Sequence, residues 1–178
     1  MRSPIYCDNR ITLSYPEVRQ GIVEGFKVLS KDFEPFDAIS GVATAGIPHG
    51  ILLAYELGLP FSYVRSKAKG HGRQNQIEGR IELGQRILMV EDLISTGGSS
   101  LKAVEAVRET GAEVVGVLAI FTYGFQKAVD AFQAENCRFA TLSNYDILLQ
   151  AAVAQNYINQ ADLERLNEWN RAPEAWKV

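Results

Sequence analysis

Residues 87–100, which read ILMVEDLISTGGSS, decide the fold. Four apolar residues lead directly into two adjacent carboxylates, Glu91 and Asp92, and the chain then becomes small, hydroxylated and rich in glycine. A short apolar run bounded by turn residues is typical of a buried strand, and a helical pattern follows over residues 98–110. We therefore expect a strand over residues 86–90 that ends at the two acids, with a loop and a helix after it.

The rest of the chain repeats this alternation of strands and helices. Apolar residues recur at helical spacing in some segments and form short branched or aromatic runs in others. Residues 113–121 are almost continuously apolar, which is typical of a strand buried on both faces. We predict helices over 15–33, 48–57 and 126–135, strands over 36–41, 61–65, 113–121 and 138–143, a polar loop over 66–79 and two closing helices.

Strands that alternate with helices predict an α/β fold class, with a mostly parallel sheet flanked by helices and right-handed crossovers. A chain of 178 residues, of which 47% are hydrophobic, suits a single domain spanning residues 1–178. In open sheets of this kind, ligands bind beyond the carboxyl ends of the strands. Because residues 87–100 cover such an end, we expect them to form part of a binding site.

Composition and charge favour some functional classes over others. The net charge of −3 argues against a general nucleic-acid or membrane binder, because both favour a basic surface. No apolar run is long enough to span a membrane, and no basic-then-apolar signal segment opens the chain. Cys7 and Cys137 lie far apart and fit no metal or disulfide framework, so we expect a reducing, cytoplasmic location.

The loop at residues 95–99 has the composition of a phosphate-binding nest. It precedes a helix, so unpaired backbone N–H groups point outward at the positive end of the helix dipole, and its glycines let the backbone curl around an anion. It is not a P-loop, because the spacing and the lysine of that motif are absent. A competing interpretation is that Ser95 or Thr96 only caps the helix.

Two adjacent acids at a ligand-binding edge repel each other unless something neutralises or bridges them. The hydroxyls of a sugar diol do so by donating hydrogen bonds to both carboxylates, and a magnesium ion between the sugar and its phosphates relieves the charge further. A ribose beside a phosphate-binding loop therefore explains Glu91, Asp92 and the loop together. In the competing interpretation the acids only form a turn, and an account in which the loop only caps the helix explains just one half of the stretch.

The segment VEDLISTGGSS at residues 90–100 resembles the phosphoribosyl-diphosphate signature of the type I phosphoribosyltransferases. Three further segments are similar to motifs of the orotate phosphoribosyltransferases, and they occur in that family's order over nearly the whole chain. They are SPIYCDNR at 3–10, GVATAGIP at 41–48, which resembles the diphosphate loop, and RSKAKGHG at 65–72, which resembles the mobile catalytic loop. The resemblance implies the Rossmann-like type I phosphoribosyltransferase fold with a mobile loop over about 66–80.

The same resemblance implies the reaction of orotate with phosphoribosyl diphosphate to give orotidine 5′-monophosphate and diphosphate, a step in UMP synthesis. It implies Mg²⁺ as cofactor, with no residue assigned as a metal ligand, and a homodimer whose subunits share the mobile loop. It assigns catalysis to Lys69 and Asp92 and orotate contacts to Ser95 and Tyr6. It assigns phosphoribosyl diphosphate binding to Arg65, Lys69, His71, Glu91, Asp92, Leu93, Ile94, Ser95, Thr96, Gly97, Gly98 and Ser99.

The chain departs from the family's pattern in several places. Ala45 and Ser66 stand where some members carry lysines, and Tyr123 lies in the region where other members place an arginine against orotate. The family's usual first segment, which supplies an orotate-contacting lysine, does not precede SPIYCDNR. We therefore expect either a shortened chain or an orotate ring that is held differently.

Two other functions fit parts of the sequence. A phosphoribosyltransferase for another nucleobase would share the same phosphate-binding segments. A regulator that senses phosphoribosyl diphosphate and binds RNA or DNA would need a basic face, and the sequence has no basic cluster outside residues 65–73.

Overall fold

The structure of the protein is a computed structural model that describes residues 3–66 and 76–176. A short 3₁₀ turn and one helix open the chain, strands and helices then alternate around one sheet, and two helices follow the last strand. The helices are α1 Pro16–Ser30, α2 Gly46–Leu57, α3 Gly98–Arg108, α4 Gln126–Ala134, α5 Tyr145–Ala154 and α6 Gln160–Arg171, and the strands are β1 Ala38–Val42, β2 Phe61–Val64, β3 Ile77–Glu78, β4 Arg86–Ile94, β5 Glu113–Thr122 and β6 Phe139–Asn144.

The six strands have the order β3-β2-β1-β4-β5-β6, and each neighbouring pair is parallel except β2 with β3. The predicted α/β class with a mostly parallel sheet is therefore confirmed. β4 lies at the centre, and its pairing with β1 ends at Gly41 opposite Val90. Its pairing with β5 continues to Ile94 opposite Thr122. The last four residues of β4 thus project beyond β1, with a strand on one side only.

Side chains that alternate along β4 pack into two hydrophobic cores. Ile87 and Met89 belong to the core that contains the buried residues of α3 and α4, whereas Leu88 and Val90 belong to the core that contains those of α1 and α2. This alternation is the period of two that a strand imposes. A third, mainly aromatic cluster lies at the carboxyl end of β5. Packing on both faces fixes the central strands, and therefore also the residues at their ends.

Most predicted elements are present, but several predicted boundaries are wrong; the helix predicted over 15–33, for example, ends at Ser30. β4 continues through the two acids to Ile94, because β5 still offers backbone partners after β1 has ended. The predicted polar loop over 66–79 contains β3, a two-residue antiparallel edge strand that is too short to show a period in the sequence. Helix α2 begins at Gly46 rather than at residue 48.

Residues 67–75 of the expected mobile loop lie outside the described residues, and they include Lys69 and His71. Arg65 and Ser66 are the last described residues before this gap. Within the described ranges, no helix combines the length and the apolar character needed to cross a membrane.

Candidate active site

A cavity of about 450 Å³ opens at the carboxyl edge of the sheet, where β1, β4 and β5 end. This is the edge at which the sequence predicts a binding site. The N-terminal segment, the turn between β1 and α2, the end of β4 with the start of α3, and the residue after β5 all contribute to it. It is lined by Tyr6, Cys7, Asp8, Arg10, Ala43, Thr44, Ala45, Glu91, Asp92, Leu93, Ser99 and Tyr123.

The loop after β4 leads into α3 without a side-chain capping hydrogen bond. The residue before the helix is Gly97, whose φ of 81° is unfavourable for a residue with a side chain. The competing interpretation, in which Ser95 or Thr96 caps the helix, is therefore wrong. Gly98 and Ser99 are exposed, so the first N–H groups of α3 and the positive end of its dipole are open to a ligand.

A second helix, α2, begins at the same cavity. It also has no side-chain capping hydrogen bond, and Ala45, which precedes it, lines the cavity. The helix approaches β4 closely because residue 46 is glycine: a Cβ on Gly46 would lie 2.3 Å from the carbonyl oxygen of Val90. Two uncapped helix N-termini thus border one cavity, which suits a ligand with two anionic groups.

The two adjacent acids have different surroundings. Glu91 is 5% exposed, and its carboxyl accepts hydrogen bonds from the backbone N–H of Asp92 at 3.0 Å and from the hydroxyl of Ser100 at 3.3 Å. Burial, with the neighbouring Asp92 carboxylate as the next cause, raises the pKa of Glu91 to about 9. Glu91 is therefore neutral at pH 7, so the protein itself relieves the repulsion that the sequence suggested.

Asp92 is the more exposed acid of the pair. It is half-buried and lines the cavity. Its backbone carbonyl accepts a hydrogen bond of 2.8 Å from the side-chain amide of Asn9, and its backbone N–H is bonded to Glu91. Both backbone groups of this lining residue are thus held in place.

Residues 6–10, called the wall segment below, form another side of the cavity. Arg10 is paired with the Asp8 carboxylate at 2.6 Å, and this hydrogen bond lowers the pKa of Asp8. The same guanidinium donates to the hydroxyl of Tyr6 at 3.0 Å. Among the described residues that line the cavity, Arg10 is the one cationic side chain, and it is already paired.

Some of the predicted site residues meet at this cavity and others do not. Thr96 lines a separate cavity of about 350 Å³ near the start of α4, and Ile94 is fully buried in a hydrophobic core. Arg65 is paired with a glutamate of β3 at 3.4 Å. The predicted residues that line the cavity are Tyr6, Glu91, Asp92, Leu93 and Ser99.

The remaining predicted residues divide into two groups. Ser95, to which the resemblance assigns an orotate contact, is half-buried and is not among the residues that line the cavity, and Gly97 and Gly98 form the start of α3. Lys69 and His71 lie outside the described residues.

Sequence reasoning missed Asn9 and Ser100, which support the acids. Their only signal is that each lies inside a motif that resembles a family motif, at 3–10 and at 90–100. Asn9 is 8% exposed and lies 83 positions from the residue that it holds, so no local pattern reveals the contact.

His49 lies near the start of α2 and is not among the residues that line the cavity. It is 1% exposed, and burial lowers its pKa, so the imidazole is neutral at pH 7. Its Nδ1 has no hydrogen-bond partner among the described residues. The residue packs at the start of α2.

The acids that line the cavity also limit the kind of metal site that can form there. Within residues 3–66 and 76–176, no group of three or more His, Cys, Asp or Glu side chains is arranged to hold a metal ion. Mg²⁺ is commonly held by only one or two carboxylates together with substrate phosphates and water. A half-buried Asp92 at the cavity fits that kind of shared site and does not fit a metal held by protein ligands alone.

Comparisons with known proteins agree with this geometry. Residues 16–146 match the family described as the phosphoribosyl transferase domain. The chain is 52% identical over 177 residues to the orotate phosphoribosyltransferase of Listeria monocytogenes, which covers 99% of this chain and 85% of that protein. It is 56% identical over 176 residues to the orotate phosphoribosyltransferase of Cytophaga hutchinsonii, covering 98% and 84%. The crystal structure of orotate phosphoribosyltransferase from Aeropyrum pernix superposes with a TM-score of 0.76 at 30% identity, covering 85% of each chain.

Proposed function

The chain belongs to the orotate phosphoribosyltransferases of the phosphoribosyltransferase family, and on that premise we propose how its cavity divides the work of the reaction. The enzyme transfers the 5-phosphoribosyl group from phosphoribosyl diphosphate to orotate and releases diphosphate. The donor carries a phosphate at one end of its ribose and a diphosphate at the other. The observation that carries the proposal is that two uncapped helix N-termini and a carboxylate border one cavity.

The two helix N-termini bind the two anionic ends of the donor. The N–H groups and hydroxyls of residues 95–99, at the start of α3, hold the 5-phosphate. The turn at residues 43–45, at the start of α2, holds the diphosphate. Both assignments rest on the same physics, in which unpaired N–H groups and the positive end of a helix dipole attract phosphate.

Asp92 binds the ribose, which lies between the two anionic ends of the donor. Its carboxylate accepts hydrogen bonds from the ribose hydroxyls, and its charge stabilises the positive charge that develops on the ribose as the C1–oxygen bond to diphosphate breaks. Glu91, which is neutral and bonded to Ser100, acts as the support that fixes the Asp92 backbone and completes the ribose side of the cavity. No covalent enzyme nucleophile is required, because the orotate ring nitrogen forms the new bond from the opposite face.

The charge of the cavity explains why a basic loop is needed. The described lining contains Asp8, Asp92 and a single cation, Arg10, so it is not positive enough for a donor with three phosphate groups. Lys69, His71 and Arg65 supply the missing positive charge, with Lys69 acting on the departing diphosphate. The loop that carries them closes over the site from a neighbouring subunit of a homodimer.

Mg²⁺ fits the same charge requirement. The Asp92 carboxylate would hold the ion together with the donor, and the ion would supply positive charge that offsets the charge of the diphosphate. The acceptor occupies the side of the cavity formed by the wall segment, where Tyr6 contacts the orotate ring and Ser95 approaches it from the loop. We place the enzyme in the cytoplasm, in keeping with its two free cysteines.

A direct assay tests the proposal. Orotate consumption is followed spectrophotometrically with phosphoribosyl diphosphate and Mg²⁺, beside parallel reactions with hypoxanthine and uracil. Of the three bases, we expect turnover only with orotate, and we expect that turnover to be lost when Mg²⁺ is chelated. Turnover with hypoxanthine or uracil instead of orotate would overturn the assignment of the base, and turnover unaffected by chelation would overturn the assignment of Mg²⁺.

A further inference from the structure

The wall segment is not part of the sheet, yet it lines the cavity beside Asp92. Two hydrogen bonds join it to the ends of the central strands. The side-chain amide of Asn9 donates to the carbonyl of Asp92 at 2.8 Å, and the backbone N–H of Cys7 donates to the hydroxyl of Tyr123 at 3.3 Å. Asn9 and Tyr123 therefore connect the wall segment to β4 and to the residue after β5.

The Asn9 side chain supplies a hydrogen-bond partner that Asp92 would otherwise lack on the β1 side of β4. β1 pairs with β4 only as far as Val90, so the backbone of Asp92 has no neighbour from that strand. Its N–H is bonded to Glu91 and its C=O to Asn9, which is 8% exposed. The thiol of Cys7 donates to the Asn9 side-chain oxygen at 3.4 Å, which leaves the amide nitrogen turned toward Asp92. One buried side chain thus fixes both the acid and the wall segment.

The Tyr123 side chain is held in place by the aromatic residues around its ring. Its ring stacks on Phe125 with centroids 5.4 Å apart and meets Trp169 edge-on at 5.8 Å. Its own carbonyl accepts a hydrogen bond of 2.8 Å from the side-chain amide of Asn170. Because the ring is 9% exposed and packed on several sides, its hydroxyl is a fixed point against which the Cys7 backbone is held.

We propose that Asn9 and Tyr123 are positioning residues for the acceptor base: they clamp the wall segment against the ends of β4 and β5 and so set where the base meets the ribose carbon. The proposal rests on the assignment of the wall segment to the acceptor. The two contacts act differently. Tyr123 holds only the wall segment, so its loss should affect binding of the acceptor. Asn9 holds both the wall segment and Asp92, so its loss should affect both substrates.

The first test removes only the Tyr123 hydroxyl. Tyr123→Phe is expected to raise KM for orotate by about 3- to 10-fold, the size of one lost hydrogen bond, with KM for phosphoribosyl diphosphate within about twofold of the starting protein. Tyr145→Phe is the matched control, since its hydroxyl bonds the Leu166 carbonyl in the same aromatic cluster but Tyr145 does not line the cavity. That control is expected to leave both KM values unchanged.

The second test removes the Asn9 amide. Asn9→Leu keeps the approximate shape and is expected to lower kcat/KM for both substrates by about 10- to 100-fold, because misplaced reacting groups lose the benefit of orientation. All kinetics are measured well below the thermal midpoint of each variant, so a fall in stability alone does not change the result. Tyr123→Phe decides the proposal should Asn9→Leu fail to fold.

The outcomes separate this inference from the assigned reaction. Absence of orotate turnover by the unaltered protein would refute the assigned reaction. Normal turnover by the unaltered protein, with Tyr123→Phe showing the same KM for orotate as Tyr145→Phe, would refute the clamp alone. Equal rises in both KM values for Tyr123→Phe would also refute it, because the contact would then not be specific to the acceptor.

Discussion

The two sides of the cavity are built in different ways. The donor side consists of β4, the loop after it and the start of α3, so its shape follows from the backbone of the central strand and from cores on both faces of the sheet. The acceptor side consists of the wall segment, which belongs to no strand and whose Tyr6 is 78% exposed. It is joined to the strand ends by the side chains of Asn9 and Tyr123.

One cavity thus separates the binding of the donor from the selection of the acceptor base. The parts that would hold a ribose and its phosphates cannot move without disturbing the sheet. The part that would meet the base is attached by a few side-chain contacts, so it can change with little effect on the rest of the fold. We therefore expect substitutions of donor-side residues that contact the donor, such as Asp92, to lower turnover strongly and substitutions on the acceptor side to alter the choice of base.

The largest effect is expected on the donor side, at Asp92. Asp92→Asn removes the charge that faces the ribose and is expected to lower kcat/KM by about 100-fold or more, measured in steady-state assays with either substrate varied. Asp130→Asn, an exposed carboxylate of α4, is the control and is expected to have no effect. A change of only a few-fold in Asp92→Asn would remove the distinction between the two sides.

The next effect concerns the basic loop, which belongs to neither side. Lys69→Ala is expected to lower kcat by about 100-fold while KM for phosphoribosyl diphosphate changes little, because the lysine stabilises the departing diphosphate more than the bound donor. Lys67→Ala is the control, because it removes a lysine two positions away to which the resemblance assigns no role, and it is expected to behave like the unaltered protein. A raised KM with normal kcat in Lys69→Ala would assign this lysine to binding instead.

A smaller effect is expected at Glu91, which distinguishes this buried acid from Asp92 on the same side of the cavity. Glu91→Gln copies the neutral form, so at pH 7 we expect turnover within about threefold of the unaltered protein. The raised folded-state pKa, about 9 against an ordinary 4.5, means that the unfolded chain loses this proton first. Stability of the unaltered protein therefore falls as pH rises between these values.

The glutamine variant has no such proton to lose. The thermal midpoint of the variant minus that of the unaltered protein should therefore increase as pH rises from 5 to 8. Melting curves of the ligand-free proteins at several pH values measure this difference. A difference that stays constant with pH, or that changes in the opposite direction, would show that Glu91 is ionised in the folded protein.

The smallest effect is expected at the far edge of the sheet, where Asp37 accepts hydrogen bonds from Arg86 that lower its pKa to about 2. Its stabilisation is present above its ordinary pKa and is lost as pH falls toward 2. Asp37→Asn is expected to lower the thermal midpoint at pH 7 by at most about 4 °C, because the pair is partly exposed. Neither KM should change, and a shift in one of them would contradict the view that each side acts locally.

The sequence predicted a large part of the fold and less of the site. The β4 run, the apolar β5 and the helix after residue 97 each carry a local period or turn signal, and the structure has β5 and this helix close to the predicted bounds, whereas β4 extends four residues further. Predicted residues such as Asp92 and Ser99 line the cavity. The burial of Glu91 could not be predicted, because it depends on Ser100 and on β4 extending beyond β1. The same holds for Asn9, whose partner is distant in sequence.

The fold class, the order of the helices and longer strands and the chemistry of the strand-end loop follow from side chains within about fifteen residues of one another, so they can be predicted from the sequence. The tertiary structure decided which of two adjacent acids keeps its charge, which helix ends remain uncapped and what holds the N-terminal segment against the cavity. Those features depend on burial and on contacts between distant segments, and neither exists until the sheet has formed.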